Sequence, residues 1–292
     1  MNLKVTILTC DISEFGRGNF NRSQTLHKFL NNRNISIELF VLSSVNDIQE
    51  LRITEIFKSS KILIIDIPID LQKFVPSDFL NHFAGVIALD WFSDFVPEYN
   101  IVIFNHKMPK SSIETYSGIE FAILNPELAE IAEKRTSKWE YDYLIALGAS
   151  DIELGSRIHA SLLLKKFNGI LIETSEADEK KESLINTLKS PENFMELLVN
   201  SCVVITNGGM TAIESLSLGK QIIVFPMNAH EKNFVNYLNL EHANVHVGTS
   251  EIIGLMKLLI ANPKNLEPNG TQTIGGGLEK IIEILHRMEV RN

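Results

Sequence analysis

Short apolar runs rich in β-branched residues alternate with helix-like stretches along almost the whole chain. In the first half these runs lie at 5–8, 35–42, 62–65, 86–89 and 101–104. Most of them are continuous rather than alternating, which is typical of strands that are covered on both faces, as in parallel sheets. The helical stretches between them supply the crossovers that parallel strands need. The sequence therefore predicts an α/β protein with doubly wound parallel sheets.

A change in composition at 125–141 divides the chain. This segment is polar and charged, contains Pro126 and lacks a strand pattern, so we interpret it as the connection between two domains. After it the alternation starts again, with strands predicted at 143–147, 169–173, 203–206 and 221–225. A length of 292 residues also suits two domains. We predict Rossmann-like domains at 1–130 and 131–275, and a C-terminal helix at 276–292 that could pack back on the first domain.

Composition and charge exclude several classes of function. The formal charge is −9, whereas binding to nucleic-acid phosphates needs a basic face, so we expect no nucleic-acid partner. Cys10 and Cys202 are too few for a disulfide framework, and the cysteine and histidine spacing of a zinc site is absent, so we expect no metal. The sequence shows no signal peptide and no apolar run of the ~18 residues that a membrane span needs. We expect a cytoplasmic protein without a transmembrane segment or bound cofactor.

The first candidate loop follows the first strand and reads Asp11-Ile-Ser-Glu-Phe-Gly-Arg-Gly-Asn-Phe-Asn-Arg-Ser23. Ligands of doubly wound sheets bind beyond the carboxyl ends of the strands, where this loop is placed. Gly16 and Gly18 allow a tight turn and close approach of a ligand to the backbone, and Ser23 is a plausible N-cap of the next helix. The third glycine of a dinucleotide fingerprint and the lysine of a P-loop are both missing. A plain strand-to-helix turn stays an alternative, but the crowding of polar side chains favours substrate binding. These side chains belong to Asp11, Glu14, Arg17, Asn19 and Arg22.

A stronger signal is the loop Thr206-Asn-Gly-Gly-Met-Thr-Ala-Ile-Glu214, between an apolar strand and an amphipathic helix. Adjacent glycines leave their N–H groups accessible and a helix start adds aligned dipoles, so the loop predicts an anion site suited to a diphosphate. Two interpretations of Glu214 stay open. With Thr211 it has the spacing of a capping box, and its carboxylate could instead bind the hydroxyls of a ribose.

Two further segments could contribute to the same sheet edge. Gly148 and Ser150 follow the strand predicted at 143–147 and could add backbone donors. His230 and Asn233 follow the strand predicted at 221–225, about one helical turn apart, and could face the same ligand. An ordinary helix start at the surface is an equally good interpretation of His230.

Taken in order, these motifs resemble those of the PseG-type nucleotide-sugar hydrolases and the related SpsG-type spore-coat polysaccharide proteins. The segment 16–22 resembles their Gly-x-Gly-His-x-x-Arg element, and Leu89-Asp90-Trp91 is similar to their strand-end aspartate. The segments 118–127 and 146–151 are similar to the stretch before their linker and to their glycine-serine-aspartate turn. The loop 207–214 resembles their Gly-Gly-Ser-Thr-x-x-Glu element, which MurG-like glycosyltransferases share. These similarities span nearly the whole chain.

The resemblance implies a GT-B fold, with a nucleotide-sugar in the cleft between the domains and the nucleotide mainly on the C-terminal domain. It implies a UDP-sugar ligand, a saccharide as candidate acceptor, and a role in surface polysaccharide or glycoconjugate biosynthesis. The residues then expected to bind the nucleotide are Gly148, Ser150, Gly208, Gly209, Thr211, Glu214, His230, Glu231 and Asn233. Those expected to bind the sugar are Gly16, Arg17, Gly18 and Arg22.

The main departure from this family is Asn19, which stands where the hydrolases carry the histidine interpreted as their water-activating base. An amide cannot accept a proton, and a general base typically contributes ~10²–10⁴-fold, so hydrolysis would need a substitute. Glu14 and Asp90 are the candidates, and Asn19 itself is expected at the reacting centre. Glycosyl transfer is therefore favoured over hydrolysis of a UDP-linked amino-deoxy sugar, because donors at a helix start still stabilise a departing diphosphate. A catalytically silent nucleotide-sugar binding protein is the third hypothesis.

Overall fold

The chain forms two compact units in a computed structural model. The structure describes residues 4–12, 15, 17–51, 57, 59–93, 95, 97–103, 114–134, 139–148, 152–173, 186–189, 192–261 and 274–291. The first unit comprises Met1–Asn125 and Thr273–Asn292, and the second comprises Pro126–Gln272. Within the described part of the chain, each unit holds one six-stranded sheet. The predicted α/β class with two Rossmann-like units is confirmed.

The first sheet has the strand order β2-β1-β3-β4-β5-β6, with every neighbouring pair parallel. Its strands are β1 (Lys4–Cys10), β2 (Ser36–Leu42), β3 (Ile62–Asp66), β4 (Gly85–Leu89), β5 (Tyr99–Val102) and β6 (Glu114–Ser117). Because the order reverses between β1 and β3, the connections that follow these two strands lead to opposite sides of the sheet. In open α/β sheets such a switch point is where ligands bind.

Helices cover both faces of the first sheet. They are α1 (Gly18–Asn31), α2 (Val45–Gln49), α3 (Ile69–Gln72), α4 (Ser77–Leu80) and, from the end of the chain, α11 (Gly277–Arg291). On one face, Val5 and Ile7 of β1 pack with Leu26 of α1 and Ile281 of α11. On the other face, Leu8 packs in a separate cluster with apolar side chains of α2, α3 and α4. The alternating side chains of β1 therefore serve two cores, which explains its continuous apolar run.

The second sheet has the order β12-β11-β10-β7-β8-β9 and is also parallel throughout. Its strands are β7 (Tyr141–Ala146), β8 (Gly169–Glu173), β9 (Thr187–Lys189), β10 (Ser201–Thr206), β11 (Gln221–Val224) and β12 (Val245–Val247). Its helices are α5 (Glu127–Glu133), α6 (Ile152–Leu164), α7 (Phe194–Asn200), α8 (Met210–Ser217), α9 (Ala229–Glu241) and α10 (Ile252–Ala261). Here the order reverses between β7 and β10, so the switch point lies at the ends of these two strands.

The two units divide between Asn125 and Pro126, within the segment interpreted as the connection between domains. That segment contains α5, whose Leu128 is buried among Leu144 and Leu198 of the second unit. One local prediction is wrong. Ser23 is not an N-cap, because α1 begins at Gly18 and Ser23 lies buried within the helix. Among the described residues, no helix is both long and apolar enough to span a membrane.

Candidate functional site

A buried ion cluster lies at the switch point of the first sheet. Arg22 of α1 donates from Nε and Nη2 to the two carboxylate oxygens of Asp66, at 2.9 and 2.5 Å, and from Nη1 to Asp90 at 2.6 Å. Asp66 ends β3, Asp90 directly follows β4, and all three side chains are almost completely buried. Burial alone would lower the pKa of Arg22, but the two carboxylates raise it above its ordinary value. The guanidinium is therefore permanently charged and joins α1 to two strand ends.

Asn19 is attached to the same cluster. Its Nδ2 donates to Asp66 Oδ1 at 2.7 Å, while the Ser23 hydroxyl donates to Oδ2 at 3.0 Å. A carboxylate accepts hydrogen bonds and does not donate them, so Asp66 fixes which end of the Asn19 amide faces it. The carbonyl oxygen Oδ1 is then the end of the half-buried amide that is left for another partner. Asn19 can accept a hydrogen bond from a ligand, but it cannot activate one by taking its proton.

Asp90, predicted as a substitute base, is held on both oxygens. One accepts from Arg22 and the other accepts the backbone N–H of Ile103 at 2.7 Å. Its backbone has a left-handed φ of +50°, and its carbonyl accepts from Gln72 at 2.8 Å. Both carboxylate oxygens of Asp90 therefore already accept hydrogen bonds from described groups. The structure thus shows Asp90 joined to α1 and to Ile103, and its catalytic role stays a prediction from the sequence.

A partly exposed carboxylate, that of Asp11, also lies at this sheet edge directly after β1. Its side chain is 33% exposed, and Oδ2 accepts from Arg17 at 3.0 Å. Arg17 is 58% exposed and also lies over the ring of Phe20. Gly18 begins α1 with open space where a side chain would stand. Glu14 and Gly16 lie outside the described residues.

The second switch point carries the paired glycines. Asn207, Gly208 and Gly209 connect β10 to α8, and no side chain caps the start of that helix. Gly148, at the end of β7, has a φ of +70°, a conformation that favours glycine. A Cβ atom there would lie 3.8 Å from Asn207 Nδ2, so the two strand ends meet at this edge. The structure thus brings the predicted residues Gly148, Gly208, Gly209 and Thr211 to the ends of two adjacent strands, and Ser150 lies outside the described residues.

The start of α8 offers unused hydrogen-bond donors. Gly209 N–H points to Asn207 Oδ1 at 3.3 Å, and Ala212 N–H bonds the Gly209 carbonyl at 3.1 Å. Within the described part of the chain, the backbone N–H groups of Met210 and Thr211 have no such partner. The first N–H groups of a helix carry partial positive charge and attract anions. Two adjacent donors at a switch point suit a phosphate group.

Glu214 lies one turn further along α8. The capping-box interpretation is wrong, because the helix starts at Met210 after Gly209 and Thr211 lies within its first turn. The Glu214 side chain is half-buried and has no hydrogen-bond partner among the described residues. Burial raises its pKa to about 7. An unpaired, partly desolvated carboxylate beside an anion site is suited to accept hydrogen bonds from ligand hydroxyls.

The residues predicted on the segment after β11 differ in their placement. Glu231 accepts Asn207 Nδ2 at 3.2 Å and the Met227 N–H at 2.7 Å. Asn233 is exposed on α9, and the side chain of His230 lies outside the described residues.

The sequence reasoning did not single out Asp66 or Asn207, although both stand at the carboxyl end of a buried strand. That position was the signal available for finding them. Within the described residues, no group of three or more His, Cys, Asp or Glu side chains could hold a metal ion.

Comparison with known proteins identifies the fold. No family model matches the sequence, and no curated protein matches it. MurG of Acinetobacter baumannii aligns over 97% of this chain and 99% of its own, at 12% identity and a TM-score of 0.59. The glycotransferase of kitacinnamycin aligns over 99% and 100%, at 12% identity and a TM-score of 0.63. The chain has a GT-B fold.

Other GT-B structures extend this likeness to a different kind of enzyme. UDP-GlcNAc 2-epimerase from Neisseria meningitidis, solved with UDP-GlcNAc bound, aligns over 98% of this chain and 100% of its own, at 11% identity and a TM-score of 0.62. This neighbour is an epimerase of UDP-GlcNAc, whereas the kitacinnamycin protein is a glycotransferase. Identities this low show the GT-B fold of the chain and do not distinguish between activities that the fold supports.

Proposed function

We propose that this protein is a glycosyltransferase that uses a nucleotide-sugar, with UDP as the nucleotide. The observation that carries the proposal is the start of α8, where the N–H groups of Met210 and Thr211 have no hydrogen-bond partner among the described residues. The same holds for the carboxylate of Glu214, one turn away. A diphosphate on the donors and a ribose on the carboxylate would satisfy all three groups. The GT-B structures that resemble this chain include one with UDP-GlcNAc and another with UDP bound.

In this proposal the second unit stabilises the leaving group. The acceptor hydroxyl oxygen attacks the anomeric carbon, and the bond from that carbon to the diphosphate oxygen breaks, so that UDP leaves with the electron pair. Negative charge grows on the diphosphate during this step. The N–H donors at the start of α8 stabilise that charge without needing to reorganise.

We propose that the polar edge of the first unit binds a saccharide acceptor. In this proposal Asp11 takes the proton of the acceptor hydroxyl, because its side chain is partly exposed, whereas those of Asp66 and Asp90 are buried. Asn19 accepts a hydrogen bond through Oδ1 and thereby orients a hydroxyl. The proposed roles of Arg17 and Gly18 are in binding the sugar, and that of Arg22 is to hold Asn19 and its neighbours in place.

Hydrolysis of the PseG type is the second candidate, supported by the ordered motif resemblance. Asn19 disfavours it, because Asp66 fixes its amide and no proton can be taken up there. Asp90 is also disfavoured as the base that replaces the family's histidine, because both of its carboxylate oxygens already accept hydrogen bonds. A role in surface polysaccharide synthesis and a cytoplasmic location stay predictions from the sequence.

Calorimetric titration with UDP tests the proposal. We expect binding by the wild-type protein, and Glu214→Ala should weaken it by about 1–3 kcal/mol through the lost charged hydrogen bonds. Glu196→Gln, an exposed change on α7, is the control and should leave the affinity unchanged. Release of UDP from a UDP-sugar only after a saccharide acceptor is added would support transfer, and release without an acceptor would support hydrolysis. If the wild-type protein does not bind UDP, the proposed function is wrong.

A further inference from the structure

We propose that Glu231 is a positioning residue for the paired-glycine loop (Asn207, Gly208 and Gly209). It determines which groups of this loop donate hydrogen bonds and which accept them, and it does not touch the ligand. The inference deepens the proposed function, since that loop is the proposed diphosphate site. It assigns Glu231 a part different from nucleotide binding.

The hydrogen bonds around Glu231 run in one direction. Gly209 N–H donates to Asn207 Oδ1, so the Asn207 amide must turn its Nδ2 toward Glu231 Oε1. Oε2 of Glu231 accepts the Met227 N–H at 2.7 Å. Burial raises the pKa of this carboxyl group, and the nearby backbone N–H groups of Met227, Gly208 and Asn228 counteract that rise. The groups that surround Glu231 are therefore donors, and they need a side chain that only accepts. An ionised carboxylate fits this requirement and an amide does not.

Packing places Glu231 directly against the loop. A Cβ atom on Gly208 would lie 2.9 Å from Glu231 Cβ and 3.1 Å from Val235 Cγ2, so a larger residue would push the loop off α9. The start of α9 is itself fixed, because Asn228 caps it by accepting the Glu231 N–H at 2.8 Å. Glu231 thus joins the connections that follow β10 and β11.

This arrangement decides which donors remain for an anion. The N–H of Gly209 is directed to Asn207 Oδ1, and Glu231 in turn holds the Nδ2 end of the same amide. The donors of Met210 and Thr211 stay available at the start of α8. Glu231 therefore contributes by holding the loop in the shape that exposes these two donors.

Exchanging the two polar partners tests the inference. Glu231→Gln puts an NH₂ group against Asn207 Nδ2, and turning the Asn207 amide would cost the bond from Gly209. Asn207→Asp alone puts two carboxylates face to face. In the double variant, the new carboxylate of the β10–α8 loop accepts from both Gly209 and the new glutamine, while the glutamine oxygen still accepts from Met227. The net charge of the double variant equals that of the wild type.

We expect each single change to lower the melting temperature and to weaken UDP binding about tenfold, and the double variant to recover most of both losses. Asn236→Asp, an exposed change on α9 that adds one negative charge as Asn207→Asp does, is the control and should alter neither. A double variant no better than the worse single variant would overturn the inference, as would a Glu231→Gln protein that matches the wild type. The melting temperatures decide this without ligand, so a failure of the wild type to bind UDP would count against the proposed function alone.

Discussion

Replacing Glu214 by glutamine should change how the stability of the second unit depends on pH. The glutamine keeps the shape of the side chain but cannot ionise. In the folded protein, burial raises the pKa of Glu214 from 4.5 to about 7. At alkaline pH the folded wild type must therefore carry a charge on a half-buried side chain, which costs stability. The glutamine of the variant stays uncharged at every pH.

The sign and the size follow from this pKa difference. Because the folded pKa lies above the unfolded one, the stabilisation by this group is complete below pH 4.5 and is lost as the pH rises through 7. One pKa unit corresponds to ~1.36 kcal/mol, so the whole loss is about 3 kcal/mol. Between pH 5 and 8, the free energy of unfolding of the wild type should fall relative to the variant by about 2–3 kcal/mol.

Urea denaturation at several pH values measures this difference. The sequence has two tryptophans. Trp91 lies in the first unit and Trp139 in the second, so a Trp91→Phe background reports the second unit through Trp139. Glu196→Gln removes an exposed carboxylate from the same unit and controls for the change in net charge.

The reasoning would be refuted if the stability difference between the wild type and Glu214→Gln stayed constant from pH 5 to 8. It would also be refuted if Glu196→Gln produced the same pH dependence. Either result would mean that Glu214 is solvated well enough to titrate near its ordinary pKa. Its proposed place beside a ligand ribose would then lose its electrostatic support.

Three further changes test other parts of the structure. Arg22→Lys should destabilise the first unit by about 3–5 kcal/mol in urea melts, because two buried aspartates lose their fork-shaped partner. Lys220→Met should destabilise the second unit by about 2–3 kcal/mol by the same assay, since the ammonium now serves two carbonyls near the end of α7 at 2.5 and 2.7 Å. Asp11→Asn should lower turnover ~10²–10⁴-fold in a UDP-release assay while UDP affinity stays unchanged, as expected for a base. Comparable losses of turnover and affinity would contradict that role.

The sequence predicted the central strands well because they are continuous apolar runs covered on both faces. The strand at Gly169–Glu173, for example, has the predicted bounds. The edge strands β6, β9 and β12 were not predicted, since they are short and two of them are rich in polar residues. Their pairing depends on neighbouring strands rather than on a pattern of their own.

Site residues were predictable where the backbone conformation of a turn requires glycine. They were less predictable where the contact joins residues that are far apart in the sequence. Gly148 and the paired glycines stand out because strand-to-helix turns need them. The contact between Arg22 and Asp66 joins residues 44 positions apart, and only the order of β1 and β3 brings them together. The polarity around Glu231 likewise depends on which groups donate, and residue type alone does not reveal that.

The return of α11 to the first unit has a consequence for biosynthesis. Ile281, Ile284 and Leu285 fill the same core as Val5 and Ile7, so the first unit is assembled from both ends of the chain. On the ribosome, the segment inserted between those ends is complete before the last helix emerges. A nascent or truncated chain that ends before Gly277 would keep α1 on this face but leave the apolar surface under α11 open to water, and we expect such fragments to aggregate or to recruit chaperones.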